Sequence, residues 1–280
     1  MSDLVDTPSL GAPATATAVA PSRAGGAGGR GRARLLRLAL IVGTFLVVVA
    51  FLQFGLEHTG VKDFVVAKPS TILEALSDNW ADTLRPALWF TVQEVVLGLL
   101  LGVTIGIALA VFIDAVPVLE FVILPYVVAL VMTPMIALVP VVFLEFGDAL
   151  WVRIGVVAFA AAPMMMLNTL TGLRRTPQIR LDLMRALRAG RLQTLWRVKL
   201  PSALPMMFTG LLIGAIFAVI AGVGTEFVSS DQGLGAKIVY YSSLVQTGIV
   251  YAAIFLLLLL GLFLYAVIAI LERRFAGWKE

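Results

Sequence analysis

Uncharged apolar runs of about membrane-crossing length recur along the chain at 38–56, 95–113, 121–144, 154–173 and 200–225. A helix needs roughly 20 apolar residues to cross a hydrocarbon core, so each run predicts one span. A sixth run covers 238–271 and is too long for one. Its start, "IVYYSSLVQTG", is amphipathic and rich in Ser and Tyr. That part predicts an interfacial helix, with the sixth span at about 248–271. The expected fold is therefore all-α, a polytopic membrane protein with six transmembrane helices. In the segment 57–86, "KPSTILEALSDNWADTLRPA" predicts a short surface helix with Ser70 as its N-cap.

Composition supports this class: 60% of residues are hydrophobic, 14% are charged, and the mean hydropathy is +0.99. Cysteine is absent, which excludes disulfides, thiolate metal sites and cysteine nucleophiles. His58 is the one histidine, leaving little scope for an imidazole metal cluster. Residues 1–33 are Ala, Gly, Pro, Ser and Thr with scattered arginines, a composition expected to stay disordered. The domain division is thus a tail at 1–33 and a membrane domain at 34–280. Span one is too long for a signal-peptide core and lacks a convincing cleavage site, so it is expected to remain as an anchor.

Charge sidedness orients the helices. With the N-terminus inside, sixteen Lys and Arg fall on inner segments and five on outer ones. The outer five are Lys62, Lys68, Arg85, Arg153 and Lys237. By the positive-inside rule both termini face the cytoplasm, in a multi-pass protein of the cell (plasma or inner) membrane. The net charge of +4 follows this topology and is no signature of nucleic-acid binding.

Eight of the inner charges lie in one segment, 174–201. Ile179, Leu183 and Leu187 recur there every four residues, with Met184 beside them. After Ala189-Gly190, a second apolar stripe is formed by Leu192, Leu195 and Trp196, with Arg191, Gln193, Thr194 and Arg197 off it. Gly190 is the candidate for a tight turn between two short helices, and Pro201 and Pro205 are expected to break the chain before span five. An amphipathic segment resting on anionic lipid explains the charge. It does not explain the helix–Gly–helix–Leu-Pro order, which suits a rigid knob docking into a groove of a cytoplasmic partner.

This segment resembles the cytoplasmic coupling loop of permease subunits of type I ATP-binding-cassette (ABC) importers. That family's pattern is Glu-Ala-Ala, three residues, Gly, nine residues, then Ile-x-Leu-Pro. Counting back from Val198-Lys199-Leu200-Pro201 sets the Glu position at Asp182, the alanines at Leu183 and Met184, and the Gly position at Arg188. The second half, "RLQTLWRVKLPSALP", matches well and the first is degenerate. "TPMIALVP", "FTGLLIGAIFAVIAGVGTEFVSSDQGLG" and "LERRFAGW" also resemble the nitrate, sulfonate, taurine and thiamine-pyrimidine-precursor branch. "TVQEVVLG" and "FTGLLIGA" look most like the thiamine-pyrimidine-precursor permeases. The resemblance covers about residues 66 to 278.

It implies an importer of two permease subunits, expected to be a homodimer, with two cytoplasmic ATPase subunits and an external substrate-binding protein. No G-x-x-x-x-G-K-[ST] occurs, so ATP and Mg are expected on the partner subunits and this chain as a non-enzymatic subunit that binds no cofactor. ATPase closure would move the knob as a lever and switch the bundle between inward-open and outward-open states. The resemblance assigns the ATPase contact to Asp182, Met184, Leu187, Arg188, Gly190, Arg191, Leu192, Leu195, Trp196, Arg197, Leu200 and Pro201. Two other classes fit less well. A secondary transporter or channel would carry more charge at mid-membrane than Glu94 alone. A membrane scaffold would leave the bent, glycine-spaced spans unexplained.

Polar and special residues within the spans allow two readings each. Glu94 lines the solute path or is an internal tie, to Arg85 or a neighbouring helix, and the tie is favoured. Asn168 and Thr169 face the path or bond between helices. Thr133 and Pro134 open the stretch that ends at Pro140, a bend that serves as a hinge near the path or as static distortion. Met164, Met165 and Met166 after Pro163 suit adaptable packing better than soft-metal ligation. Gly98, Gly102, Gly106, Gly210 and Gly214 recur at fourfold spacing, favouring close internal helix packing over contact between permease copies. Glu226 and Asp231, near Gly233 and Gly235, meet a docking protein or form a solvated turn, and Glu226 is also a candidate for the solute path.

Overall fold

The computed structural model describes residues 40, 43–44, 47–55, 67–228 and 231–276. The expected tail at 1–33 and much of the first expected span lie outside them. The chain divides into units 1–51 and 52–280, and the second holds the helices described below. The described residues contain helices and no strands.

From residue 67 onward these are, in order, α1 (Pro69–Asp78), α2 (Trp80–Ala115), α3 (Val118–Met132), α4 (Met135–Phe146), α5 (Leu150–Arg174), α6 (Gln178–Ala186), α7 (Arg191–Val228), α8 (Leu234–Ser243) and α9 (Thr247–Ala276). Among the described residues, α2, α5, α7 and α9 are each long and apolar enough to cross a membrane, and α3 with α4 makes a fifth if the bent pair is one span.

Several boundaries follow local chemistry. Pro69 opens α1 because it has no N–H to leave unbonded there. Lys68, not Ser70, is therefore the N-cap. Ser70 instead exchanges hydrogen bonds with Gln53, each 3.1 Å. The expected bend of the third span occurs at one proline. Thr133 is extended (φ −79°, ψ 124°), as a residue before proline prefers, and α3 and α4 meet there at 97°. Pro140 stays inside α4. The sixth run divides as expected, into α8 and then α9.

The expected break before the fifth span does not occur. Arg191 to Val228 is one helix that widens to a π-turn over Leu195–Lys199, where the Leu200 N–H bonds back to the Leu195 carbonyl. Pro201 follows that wider turn directly, so its missing donor falls where the α-helical ladder is already interrupted.

α5 packs more extensively than any other helix against both α2 and α7, which also touch each other. The α2 side is a glycine seam. A Cβ at Gly102 would sit 2.8 Å from the Ala158 carbonyl oxygen, and one at Gly106 2.6 Å from that of Ala162. Gly98 meets Val157 as closely, and Gly210 of α7 faces Asn168. The glycines at fourfold spacing thus serve packing within this chain. Val95, Leu99, Val157, Ala161, Ala218 and Leu264 form the core where α2, α5, α7 and α9 converge. Leu100, Ile105, Phe112, Leu262 and Phe263 remain exposed, as the lipid side of a bundle requires.

Gly106→Leu should lower the thermal midpoint in detergent, since overpacking a closed contact costs about 1–3 kcal/mol. Gly155→Leu, on α5 with nothing within 4 Å of its added Cβ, should leave the midpoint unchanged or slightly raised.

Candidate functional site

Three places carry residues singled out from the sequence.

The first is the basic segment. α6 closes with the Arg188 N–H bonded to the Arg185 carbonyl (2.9 Å) and the Ala189 N–H to the Met184 carbonyl (2.9 Å). These two bonds define a Schellman cap, whose turning residue needs a positive φ. That residue is Arg188, at φ 51°. Gly190, the expected turn residue, has φ −66° and instead precedes the first turn of α7. The turn therefore occupies the position where the motif count places glycine.

Ile179, Leu183, Leu187, Leu192 and Trp196 all project outward here, each at least 59% exposed. Met184, expected among the outward anchors, is buried. Leu195 is half-buried over a cleft of about 790 Å³ that it shares with Asp114, Leu181 and Lys199. Asp182 pairs with Arg185 at 2.8 Å, and Arg188, Arg191 and Arg197 are exposed around the apolar row. Leu200 and Pro201 are half-buried at the base.

The base is braced. Lys199 donates to both Asp114 carboxylate oxygens (2.8 and 3.1 Å), joining α7 to the end of α2. Arg174 makes a two-pronged ion pair with Glu120 of α3, and Arg180 donates to Ser202 (3.2 Å). Asp114 was invisible to motif reading because its partner lies 85 residues away.

The second place is a buried polar cluster. Glu94 of α2 is fully buried, accepts a hydrogen bond from Thr225, and lies 3.6 Å from the Arg153 guanidinium. The tie is to Arg153 rather than Arg85, which is nine residues back on the same helix, about 13 Å along its axis. Arg153, counted above among the outer-segment charges, is buried within α5. Two bonds to Asp148 (2.6 and 2.9 Å) and the rings of Phe90 and Phe143 compensate it.

Glu226 is likewise buried, whereas Asp231 is exposed, so the solvated-turn and docking readings apply to Asp231 alone. The Glu226 Oε1 accepts from Thr91 (2.6 Å) and its Oε2 from the Gly235 N–H (2.7 Å), while the Leu234 N–H donates to Thr91 (2.9 Å). Carboxylate and hydroxyl thus satisfy the first N–H groups of α8. Gly233, at φ +94°, leaves room that any Cβ would take from the Glu226 carboxylate.

The third place is the α3–α4 break. Thr133 and Pro134 border a cavity of about 320 Å³. Asn168 lies elsewhere, bonded to the Met164 carbonyl of its own helix (2.9 Å). No group of three or more metal-ligating side chains occurs among the described residues.

Comparison with known proteins adds an independent line. Residues 102–277 match the family model described as "Binding-protein-dependent transport system inner membrane component". A probable ABC transporter permease protein of Haemophilus influenzae is 31% identical over 76% of this chain and 86% of its own length. The formylaminopyrimidine transport permease of Halalkalibacterium halodurans is 32% identical over 73% and 81% respectively. Among solved structures, a chain of the MetNI methionine ABC transporter, inward facing, superposes with a TM-score of 0.62 at 21% identity. It covers 68% of this chain and 95% of that one, and shows a shared fold.

Arg153→Met should destabilise the protein by about 3–5 kcal/mol in detergent melting, because it strands a buried carboxylate. Adding Glu94→Gln to it should recover much of the loss. Arg188→Gly should slow amide exchange at Leu187 and Ala189, since a left-handed non-glycine residue costs roughly 1–2 kcal/mol. Gly190→Ala should leave that exchange unchanged.

Proposed function

Because the chain belongs to the family of binding-protein-dependent transport system inner membrane components, we propose that it is the membrane permease of an ATP-driven importer, working with two ATPase subunits, a second copy of itself and an external binding protein. The finer topology of this reading is six spans with both termini in the cytoplasm. The basic segment 174–201 then lies on the ATPase side. ATP and Mg act on the partner, and the chain forms the path for a small solute.

The outward apolar row Ile179–Leu183–Leu187–Leu192–Trp196 carries the reading. Five large apolar side chains ringed by arginines, on a polar-facing segment, supply the anchors and charged rim of a protein-docking surface. Their attachment supports a mechanical role. Leu192 and Trp196 stand on the same helix that continues to Val228, so displacing them displaces the span. Lys199–Asp114 and Arg174–Glu120 spread that displacement to α2, α3 and α5, so the segment acts as a rigid lever.

The absence of cysteine makes the test direct. Leu192→Cys in the native membrane, treated with a short bifunctional thiol-to-amine crosslinker, should give an adduct identified by mass spectrometry as an ATPase subunit. Its yield should change when nucleotide is added. Free labelling by a soluble thiol reagent with no protein adduct, together with solute uptake that follows an ion gradient, would reject the reading in favour of a secondary transporter.

A further inference from the structure

Behind the docking row is the cleft of about 790 Å³. α6 lines it with Leu181 and Arg185, each two residues from Leu183 and so about 200° round the helix from it. One face of α6 thus carries the outward row, and the opposite face lines the cleft. Val111 and Asp114 contribute from the end of α2, and Arg191, Leu195 and Lys199 from the start of α7. Leu192 alone belongs to both the row and the cleft.

The walls divide by chemistry. Val111, Leu181 and Leu195 are half-buried apolar side chains, while Arg185 and Arg191 are exposed. Two of the three cations are already balanced, Lys199 by Asp114 and Arg185 by Asp182, each at 2.8 Å. Arg191 has no ion pair among the described residues, so its charge is left over. Position adds a constraint. From Val95 to Ile113 α2 carries no charge, and Asp114 ends that apolar stretch. The cleft therefore lies where hydrocarbon gives way to headgroups.

We infer that this cleft binds one anionic phospholipid of the cytoplasmic leaflet, its phosphate at Arg191 and Arg185 and its first acyl methylenes along Val111, Leu181 and Leu195. The inference rests on the importer reading above for the sidedness of the segment, and adds an occupant at the root of the lever. A basic pocket at the cytoplasmic ends of spans attracts anionic headgroups, and an apolar wall beside it takes the chain that follows them. A soluble phosphate would gain nothing from that wall. A zwitterionic lipid would bring a cation of its own beside Arg191, whereas a phosphodiester with an uncharged headgroup balances the arginine. Once seated, the lipid joins α6 to the end of α2 next to the Lys199–Asp114 pair, so it braces the segment that the ATPase moves.

The test uses the permease with its ATPase in vesicles of phosphatidylethanolamine and phosphatidylglycerol. A trace of phosphatidylglycerol carries a diazirine on the first methylenes of one acyl chain. Photolysis and mass spectrometry should place the adduct on the cleft residues of α6 and α7. Arg191→Gln should lower its yield several-fold, and Arg191→Lys should restore it. Arg273→Gln, which removes an exposed charge at the end of α9, should leave the yield unchanged. Equal loss in the Arg191 and Arg273 variants would mean general surface attraction and overturn the site. Equal labelling by a phosphatidylcholine analogue would reduce it to an apolar groove. Loss of labelling in millimolar inorganic phosphate at constant ionic strength would assign it to a soluble anion. A Leu181→Cys crosslink to the ATPase, with no lipid adduct, would assign it to that subunit; each of these results rejects the proposal. The Leu192→Cys adduct separates the two levels. If it forms while lipid labelling fails, the importer reading stands and the lipid site falls. If the lipid adduct forms without it, the importer reading has failed by itself.

Discussion

In hydrocarbon two helices gain little by burying leucines against each other, because lipid tails offer the same contacts. What holds α2 to α5 is closeness, and Gly98, Gly102 and Gly106 permit it along a single face. With no side chain between them, the helix backbones come within van der Waals reach of Val157, Ala158, Ala161 and Ala162. α7 then docks on both α5 and α2, and α9 closes over the shared core at Leu260, Leu264 and Ile268. The buried ion pair, the capped α8 and the cavity at the break all take their positions from this three-helix stack.

Two carboxylates inside such a stack need specific partners. Glu94 and Glu226 belong to different helices, yet each accepts a hydroxyl hydrogen bond across the interface, from Thr225 and Thr91 respectively. The arrangement is reciprocal: α2 supplies a carboxylate and a hydroxyl to α7, and α7 does the same for α2. Arg153 from α5 joins them, and Glu226 continues to the backbone of α8. Because each partner is left stranded if another is removed, the cluster fixes the register of three helices at the end of the bundle away from the basic segment. At the other end, Lys199–Asp114 and Arg174–Glu120 perform a similar joining with partly exposed groups.

Between these two tied ends, among the described residues, an apolar helix pair is bent sharply at Thr133–Pro134. The contrast with Pro201 is instructive. Thr133 adopts the extended torsions that a following proline favours, and the helix ends there, although Pro125, Pro140 and Pro163 are carried within helices. Pro201 comes immediately after a π-turn, and the helix passes through. The docking row and the fifth apolar run are consequently one rigid body, while the third is jointed where it meets the cavity.

Hydrophobic periodicity determined the helical class, the positions of the apolar helices, the division of the sixth run and the amphipathic basic segment, because these depend on neighbours within a few residues. Motif spacing reached Arg188 as the turn position, although residue type favoured Gly190. The torsion was decided by where α6 ends and by its two capping bonds, which an arginine can serve at a steric cost. The partners of Glu94, Glu226 and Lys199 were decided only by tertiary structure. They lie at separations of 59, 135 and 85 residues for Arg153, Thr91 and Asp114 respectively, and no local pattern encodes such pairings. For the same reason Arg153 read as a surface charge. A cation one turn into an apolar helix is stable in the interior only if other helices bring it a carboxylate and aromatic faces, and that is a property of packing.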